Sequence, residues 1–246
     1  MKAATTALLI LFLTAAASAH AEKRVETFTG RAVDQSGSLE YIERHRVVYS
    51  SGSVVESETR YFDGQNRPIG ELVSDYSAGV RFGSYEFVDK RARYRDGARV
   101  LDDSIVVFRD EAADNAGIEQ SVLPRKDDQI VGQGFHQFIR ENLDRIVGGE
   151  IFHVKMVLPS RLDQFAFRIR CLQMEGNLAT VRLEIDNWLL RFFAPHLDAV
   201  YDVDTRHLVR YEGISNLADA SGEYKKVTIT YDYDDDPTVD SRASVE

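Results

Sequence analysis

Phe165-Ala166-Phe167-Arg168-Ile169-Arg170-Cys171 alternates: every odd position is apolar, and Arg168 and Arg170 stand on the opposite face. Successive side chains of a strand point to opposite faces, so this segment has one buried face and one wet face. The same alternation runs through Val181-Arg182-Leu183-Glu184-Ile185-Asp186. It returns where Val227, Ile229, Tyr231 and Tyr233 alternate with Lys226, Thr228, Thr230 and Asp232. Half-buried strands of this kind belong to antiparallel sheets, because parallel sheets are covered on both faces and lose the alternation.

Turn pairs fall between such runs. Asp63-Gly64 separates Thr59-Arg60-Tyr61-Phe62 from Ile69-Gly70-Glu71-Leu72-Val73, and Asp96-Gly97 separates Arg91-Ala92-Arg93-Tyr94 from Ala98-Arg99-Val100-Leu101. Both pairs tolerate the positive φ of tight hairpins. Glu175-Gly176-Asn177 and Asp204-Thr205-Arg206 read as two further hairpin loops. Connections this short predict a meander. Residues 111–132 are polar and weakly patterned, and read as a long connection between two groups of strands.

One segment has a different period. Phe135, Phe138, Ile139, Leu143 and Ile146 recur at helical spacing, with Arg140, Glu141, Asp144 and Arg145 between them, which predicts a helix over 134–147. Gly148-Gly149 supplies its stop, as left-handed C-terminal caps do. A shorter helical candidate, Trp188 to Phe193, ends before Pro195. A half-buried sheet must hide its apolar face, and one amphipathic helix is the cover at hand. The expected fold is therefore mainly β: a curved antiparallel meander, half-barrel-like, covered by one central helix. A two-sheet sandwich with the helix at one end is the alternative.

The start of the chain reads as an export leader. Met1 and Lys2 give a charged beginning, Leu8 to Leu13 an apolar stretch, and Ala19-His20-Ala21 a small-residue cleavage pattern, placing the cut after Ala21. The apolar stretch falls short of the roughly 20 residues that cross a bilayer. The expected organisation is a signal peptide at 1–21, a single β-rich domain at 22–236 and a loose acidic tail at 237–246, in a periplasmic protein that does not span the membrane. With 30 basic against 40 acidic residues, the net charge is −10. That sign opposes nucleic acid and anionic lipid surfaces as electrostatic partners.

The order of segments in the second half carries a resemblance. A helix containing Gly134-Phe135-His136-Gln137-Phe138-Ile139-Arg140-Glu141-Asn142 is followed by Val157-Leu158-Pro159-Ser160-Arg161-Leu162 and then by residues 201–216, which begin Tyr201-Asp202-Val203-Asp204. This resembles uncharacterised exported proteins of Gram-negative envelopes. More remotely, the layout is similar to the half-barrel lipoprotein carriers LolA and LolB. The latter resemblance implies an incomplete barrel closed by helices, with acyl chains held in an apolar cavity. No ligand-binding residue of those carriers maps onto this sequence.

Motifs for chemistry are sparse. The chain has no Gly-x-Ser-x-Gly, no His-Glu-x-x-His and no phosphate-binding glycine loop. Cys171, the single cysteine, shares the apolar face of Phe165, Phe167 and Ile169, where a thiolate is disfavoured. None of His45, His136, His153, His196 and His207 has a histidine or cysteine at close zinc-site spacing. The acids Asp232, Asp234, Asp235, Asp236 and Asp240 lack the glycine and the closing glutamate of a calcium loop. Arg91, Arg93 and Arg95 share one face of an expected strand, with Tyr94 on the other, and acids across the sheet would balance them. No catalytic residue, metal or cofactor is expected.

The apolar residues leave one site. Phe135, Phe138 and Ile139 of the helix are expected to face Phe165, Phe167 and Ile169 across a cavity, with Trp188 and Phe192 at its mouth. The same residues would equally make a filled core. The expected function is non-catalytic binding of an apolar or amphipathic, lipid-like molecule between sheet and helix. The alternative is an interaction module that docks on an envelope protein through Trp188 to Leu197.

Overall fold

Where the sequence alternates, the chain is extended. The computed structural model describes residues 22–111, 117–187, 189, 196–219 and 222–233. The strands of the first half are β1 (Lys23–Val33), β2 (Leu39–Ser50), β3 (Ser53–Phe62), β4 (Pro68–Asp75), β5 (Ser84–Asp89), β6 (Tyr94–Val100), β7 (Ser104–Glu111) and β8 (Ile118–Pro124). Those of the second half are β9 (Gln129–Val131), β10 (Phe152–Leu158), β11 (Asp163–Glu175), β12 (Leu178–Ile185), β13 (Leu197–Asp202), β14 (Leu208–Ile214) and β15 (Lys226–Tyr233). Between β9 and β10 lies α1 (Gly134–Val147), and Pro159–Arg161 forms a short 3-10 turn after β10.

All fifteen strands join one sheet, in the order β8-β7-β6-β5-β4-β3-β2-β1-β15-β14-β13-β12-β11-β10-β9. Two meanders thus meet at a seam where β1 pairs with β15, with Gly30 opposite Tyr231 and Ala32 opposite Ile229. Every ladder is antiparallel except that of β9 with β10. The expected curved antiparallel meander is the observed architecture, and the sandwich alternative is not.

The sheet curls until its two ends approach. Phe82, in the loop before β5, makes an isolated parallel bridge to Val131 of β9. Gln129 of β9 donates to the Pro124 carbonyl at the end of β8 (3.0 Å). Arg109 of β7 donates to the Ser160 carbonyl in the 3-10 turn (2.9 Å). These ties hold the far edges of the two meanders together, so the long sheet encloses a concave side.

The concave side is plugged by α1. Its buried stripe of Phe138, Ile139, Leu143 and Ile146 packs with Val154, Met156, Ile169, Val181 and Tyr201. Each such side chain removed from water stabilises by about 1.5–3 kcal/mol. Polar reach ties the helix to the opposite wall. Arg140 donates to the Tyr49 hydroxyl (2.6 Å) and lies 3.7 Å from Glu26, so it joins α1 to β2 and β1. His136 meets the Tyr201 hydroxyl of β13 at 2.9 Å.

The helix ends as Gly148-Gly149 requires. Glu150 N–H donates to the Arg145 carbonyl and Gly149 N–H to the Ile146 carbonyl, with Gly149 at φ +93°. That is a Schellman motif whose left-handed position falls on Gly149. At the other end no side chain caps the helix, because Gln133 turns inward to Ser57 (3.2 Å) and Thr59 (3.4 Å) of β3.

Three expectations are corrected. Asp96-Gly97 is not a turn but lies inside β6, with turns at 90–93 and 101–103 instead. Asp96 faces inward and accepts from Tyr94 (2.8 Å), while Gly97 lies against Tyr85 of β5 and the Phe108 ring of β7, where no side chain fits. Residues 111–132 are not one long connection: they hold β8 and β9, the two edges of the sheet, of which β8 buries only Leu123 and β9 is three residues long, so neither shows a period. Arg91 and Arg93 sit in the turn before β6, not on a strand face. Arg95 alone is in the strand, and acids do flank it, Glu86 at 3.4 Å and Asp110 at 3.6 Å. The four other predicted hairpin and cap positions, at 63–64, 148–149, 175–177 and 204–206, fall between elements, except that Glu175 is the last residue of β11. The expected leader at 1–21, the acidic tail at 237–246 and the short helix at 188–193 fall outside the described residues, apart from Leu189.

Candidate functional site: a cavity between helix and sheet

The curl of the sheet leaves space beside α1. The larger part is a cavity of about 660 Å3, walled by Leu72, Tyr85 and Phe87 on one side and by Met156, Phe167 and Leu183 on the other. Its mouth carries Glu111, Ser160, Arg161, Asn216 and Tyr224, all of them exposed. Phe135 of α1 projects between this space and a smaller one of about 100 Å3, and the two share Gln133, Phe135, Ile214 and Asn216.

Sheet register builds the smaller space. Glu43 of β2 stands opposite Tyr61 of β3 and opposite Gly30 of β1, and Gly30 in turn stands opposite Tyr231 of β15. The next row on the same face is Tyr41, Ala32, Ile229 and Tyr211. A side chain at position 30 would collide with both the Tyr231 ring and the Glu43 carboxylate, so the glycine lets these two lean together over the backbone. The four tyrosines are all held well above the ordinary phenol range, first by burial and then by the Glu43 charge.

Glu43 is almost fully buried, 3% exposed. Its Oε2 meets His45 Nε2 at 2.8 Å, and His45 Nδ1 meets Thr59 Oγ1 at 2.9 Å. The His45 ring stacks on Phe28 at 4.3 Å. A hydroxyl, an imidazole and a carboxylate in sequence are the components of nucleophilic sites. Here Thr59 is sealed off at 1% exposure and lines neither space, and Gln133 donates to its oxygen. No nucleophile is presented to the cavity by this trio.

Two further titratable groups face the interior. Burial pushes the Asp96 carboxyl up to about 6, against the opposing hydrogen bond from Tyr94. His136 is pushed down to about 3, chiefly by burial and then by the charge of Arg140, so it stays neutral, with its Nδ1 at the Tyr201 hydroxyl. Among the described residues no cluster of three or more metal-ligating side chains occurs. Cys171 is half-buried, and burial raises its thiol.

The sequence-predicted site residues divide. Phe135 and Phe167 line the cavity. Phe138, Ile139 and Ile169 belong to the packed core beneath the helix, with Phe138 edge-on to Phe152 at 5.2 Å. Phe165, opposite Met156 in the ladder of β10 and β11, is 40% exposed and lines neither space. Trp188 and Phe192 lie outside the described residues. Sequence reasoning missed Glu43, His45, Asp96 and the tyrosines. The signal was in Tyr41-x-Glu43-x-His45-x-Val47-x-Tyr49, where alternation places a carboxylate and an imidazole on the apolar face.

No protein-family model and no curated protein matches the sequence. Among solved structures, the chain is similar to the crystal structure of a "Beta-barrel-like Protein of Domain of Unknown Function DUF1849" from Brucella abortus. The identity is 10% and the TM-score 0.39, over 87% of this chain and 97% of that one.

Proposed function

We propose that this protein is an exported, non-catalytic binder that holds one apolar or amphipathic, lipid-like molecule in the space between α1 and the concave sheet. The observation that carries the reading is the cavity itself: its about 660 Å3 falls within the roughly 300–1,000 Å3 usual for small-molecule sites. Its walls are mainly aromatic and aliphatic, with polar groups at the mouth and at Asp96, Arg109 and Gln133, and the smaller space beside it holds Glu43. A ligand hiding roughly 300 Å2 of apolar surface there would gain about 7 kcal/mol before ordering costs. The half-barrel carriers LolA and LolB, which the layout resembles, hold acyl chains in the corresponding place. The leader pattern at 1–21 supports action in the periplasm.

The test is native mass spectrometry of protein purified from a periplasmic extract, followed by organic extraction. A discrete added mass that extracts as an apolar molecule is the expected result. A bare polypeptide mass, unchanged after incubation with envelope lipids, would overturn the reading.

A further inference from the structure

The smaller space has a chemistry of its own. It is lined by Phe28, Tyr41, Tyr61, Tyr211 and Tyr231 around Glu43, and among the described residues its lining includes no lysine or arginine. His45 holds Glu43 Oε2, while Oε1 has no hydrogen-bond partner among the described residues. His136, the other basic group on the wall, is kept neutral by burial. Glu43 is almost fully buried, and its unpartnered oxygen opens on the chamber, where a donor or a cation would complete it. Aromatic faces add attraction of the same sign, since their quadrupoles favour cations, and the effect grows when water is excluded. The volume of about 100 Å3 admits a few waters or one small ammonium group.

We infer that the Glu43 chamber is a recognition site for an ammonium group, so that the preferred ligand is an amphiphile with a cationic amine head and an apolar body. This rests on the cavity reading above and specifies its ligand. The head enters past Phe135, reaches Glu43 Oε1 and is enclosed by the tyrosines. The body lies against Leu72, Phe87, Phe167 and Leu183 in the larger space, which adjoins the chamber across Gln133 and Phe135. Gly30 is part of the device, because it alone lets Tyr231 and the Glu43 carboxylate close over the same point.

The experiment compares three amphiphiles with the same tail by calorimetric titration of the purified protein, each below its micelle threshold. They are dodecyltrimethylammonium, dodecanoate and a neutral dodecyl oligoethylene glycol ether. The cationic probe is expected to bind about tenfold or more tightly than the other two, the range of a desolvated cation–aromatic contact with a carboxylate behind it. Glu43→Gln should remove that preference while leaving the neutral probe's affinity within about threefold, which also reports that the variant is folded. Equal affinity for all three probes in the unaltered protein would overturn the ammonium assignment and leave the cavity reading standing. Binding of none would overturn both.

Discussion

Asp96 illustrates how a single side chain sets a pH response. Its carboxyl is held at about 6 by burial, above the ordinary value of 3.8, so the folded state binds this proton more tightly than the unfolded chain does. The contribution is therefore fully favourable below about pH 3.8 and is lost as pH rises through about 6. The shift corresponds to a loss of order 3 kcal/mol across that window. Replacing Asp96 by Asn should stabilise the protein by roughly 1–3 kcal/mol at about pH 8 and by much less at about pH 4. Urea unfolding at the two pH values reads this directly, and a difference independent of pH would contradict the burial argument. The sequence hid the residue, because Asp96-Gly97 carries a turn signature that tertiary packing overrides: Gly97 is demanded by its close neighbours Tyr85 and Phe108, not by a positive φ.

At the scale of elements, α1 was legible in full and its environment was not. Apolar spacing gives its length and its buried stripe, and the glycine pair gives its end. Of the two glycines, only Gly149 has the left-handed backbone, at φ +93°, whereas Gly148 is at φ −68°. Gly149→Ala should cost about 1 kcal/mol and Gly148→Ala distinctly less, which thermal or urea unfolding of the two variants would resolve. Equal costs would show that the cap does not act through backbone conformation. The N-terminus gave no capping signal for a tertiary reason: Gln133 is spent on Ser57 and Thr59 of β3, seventy-odd positions away in sequence. The edge strands β8 and β9 were unreadable for two different reasons: β8 buries Leu123 alone of its seven residues, whereas β9 is buried throughout but only three residues long, too short to show a period.

For the molecule as a whole, what matters is whether the interior is full. The same aromatic and aliphatic residues suit a packed core or a lined cavity, and the curl of the sheet decides between them. Phe138, Ile139 and Ile169 went into the core, whereas Phe135 and Phe167 were left at the edge of the space. Leu183 belongs to the packed core on one side and lines the cavity on the other, so Leu183→Trp projects a larger ring into that space. It should lower uptake of the neutral dodecyl ether by about tenfold at a stability cost of no more than about 1–3 kcal/mol. A large loss of stability with uptake intact would mean that the space beside Leu183 is closed in solution.

The antiparallel meander, the helix and most of the turns were determined by the sequence alone, because alternation, helical spacing and turn residues are local signals read within a few positions. Tertiary structure decided the rest. The seam of β1 with β15 joins residues about two hundred positions apart, and it is this pairing that brings Gly30, Glu43 and Tyr231 to one point. No local pattern marks Glu43 as part of a chamber, since its alternation tells only which face it is on. Distance along the chain conceals which residues share a row, and only closure of the sheet turns a row of tyrosines and one carboxylate into a site.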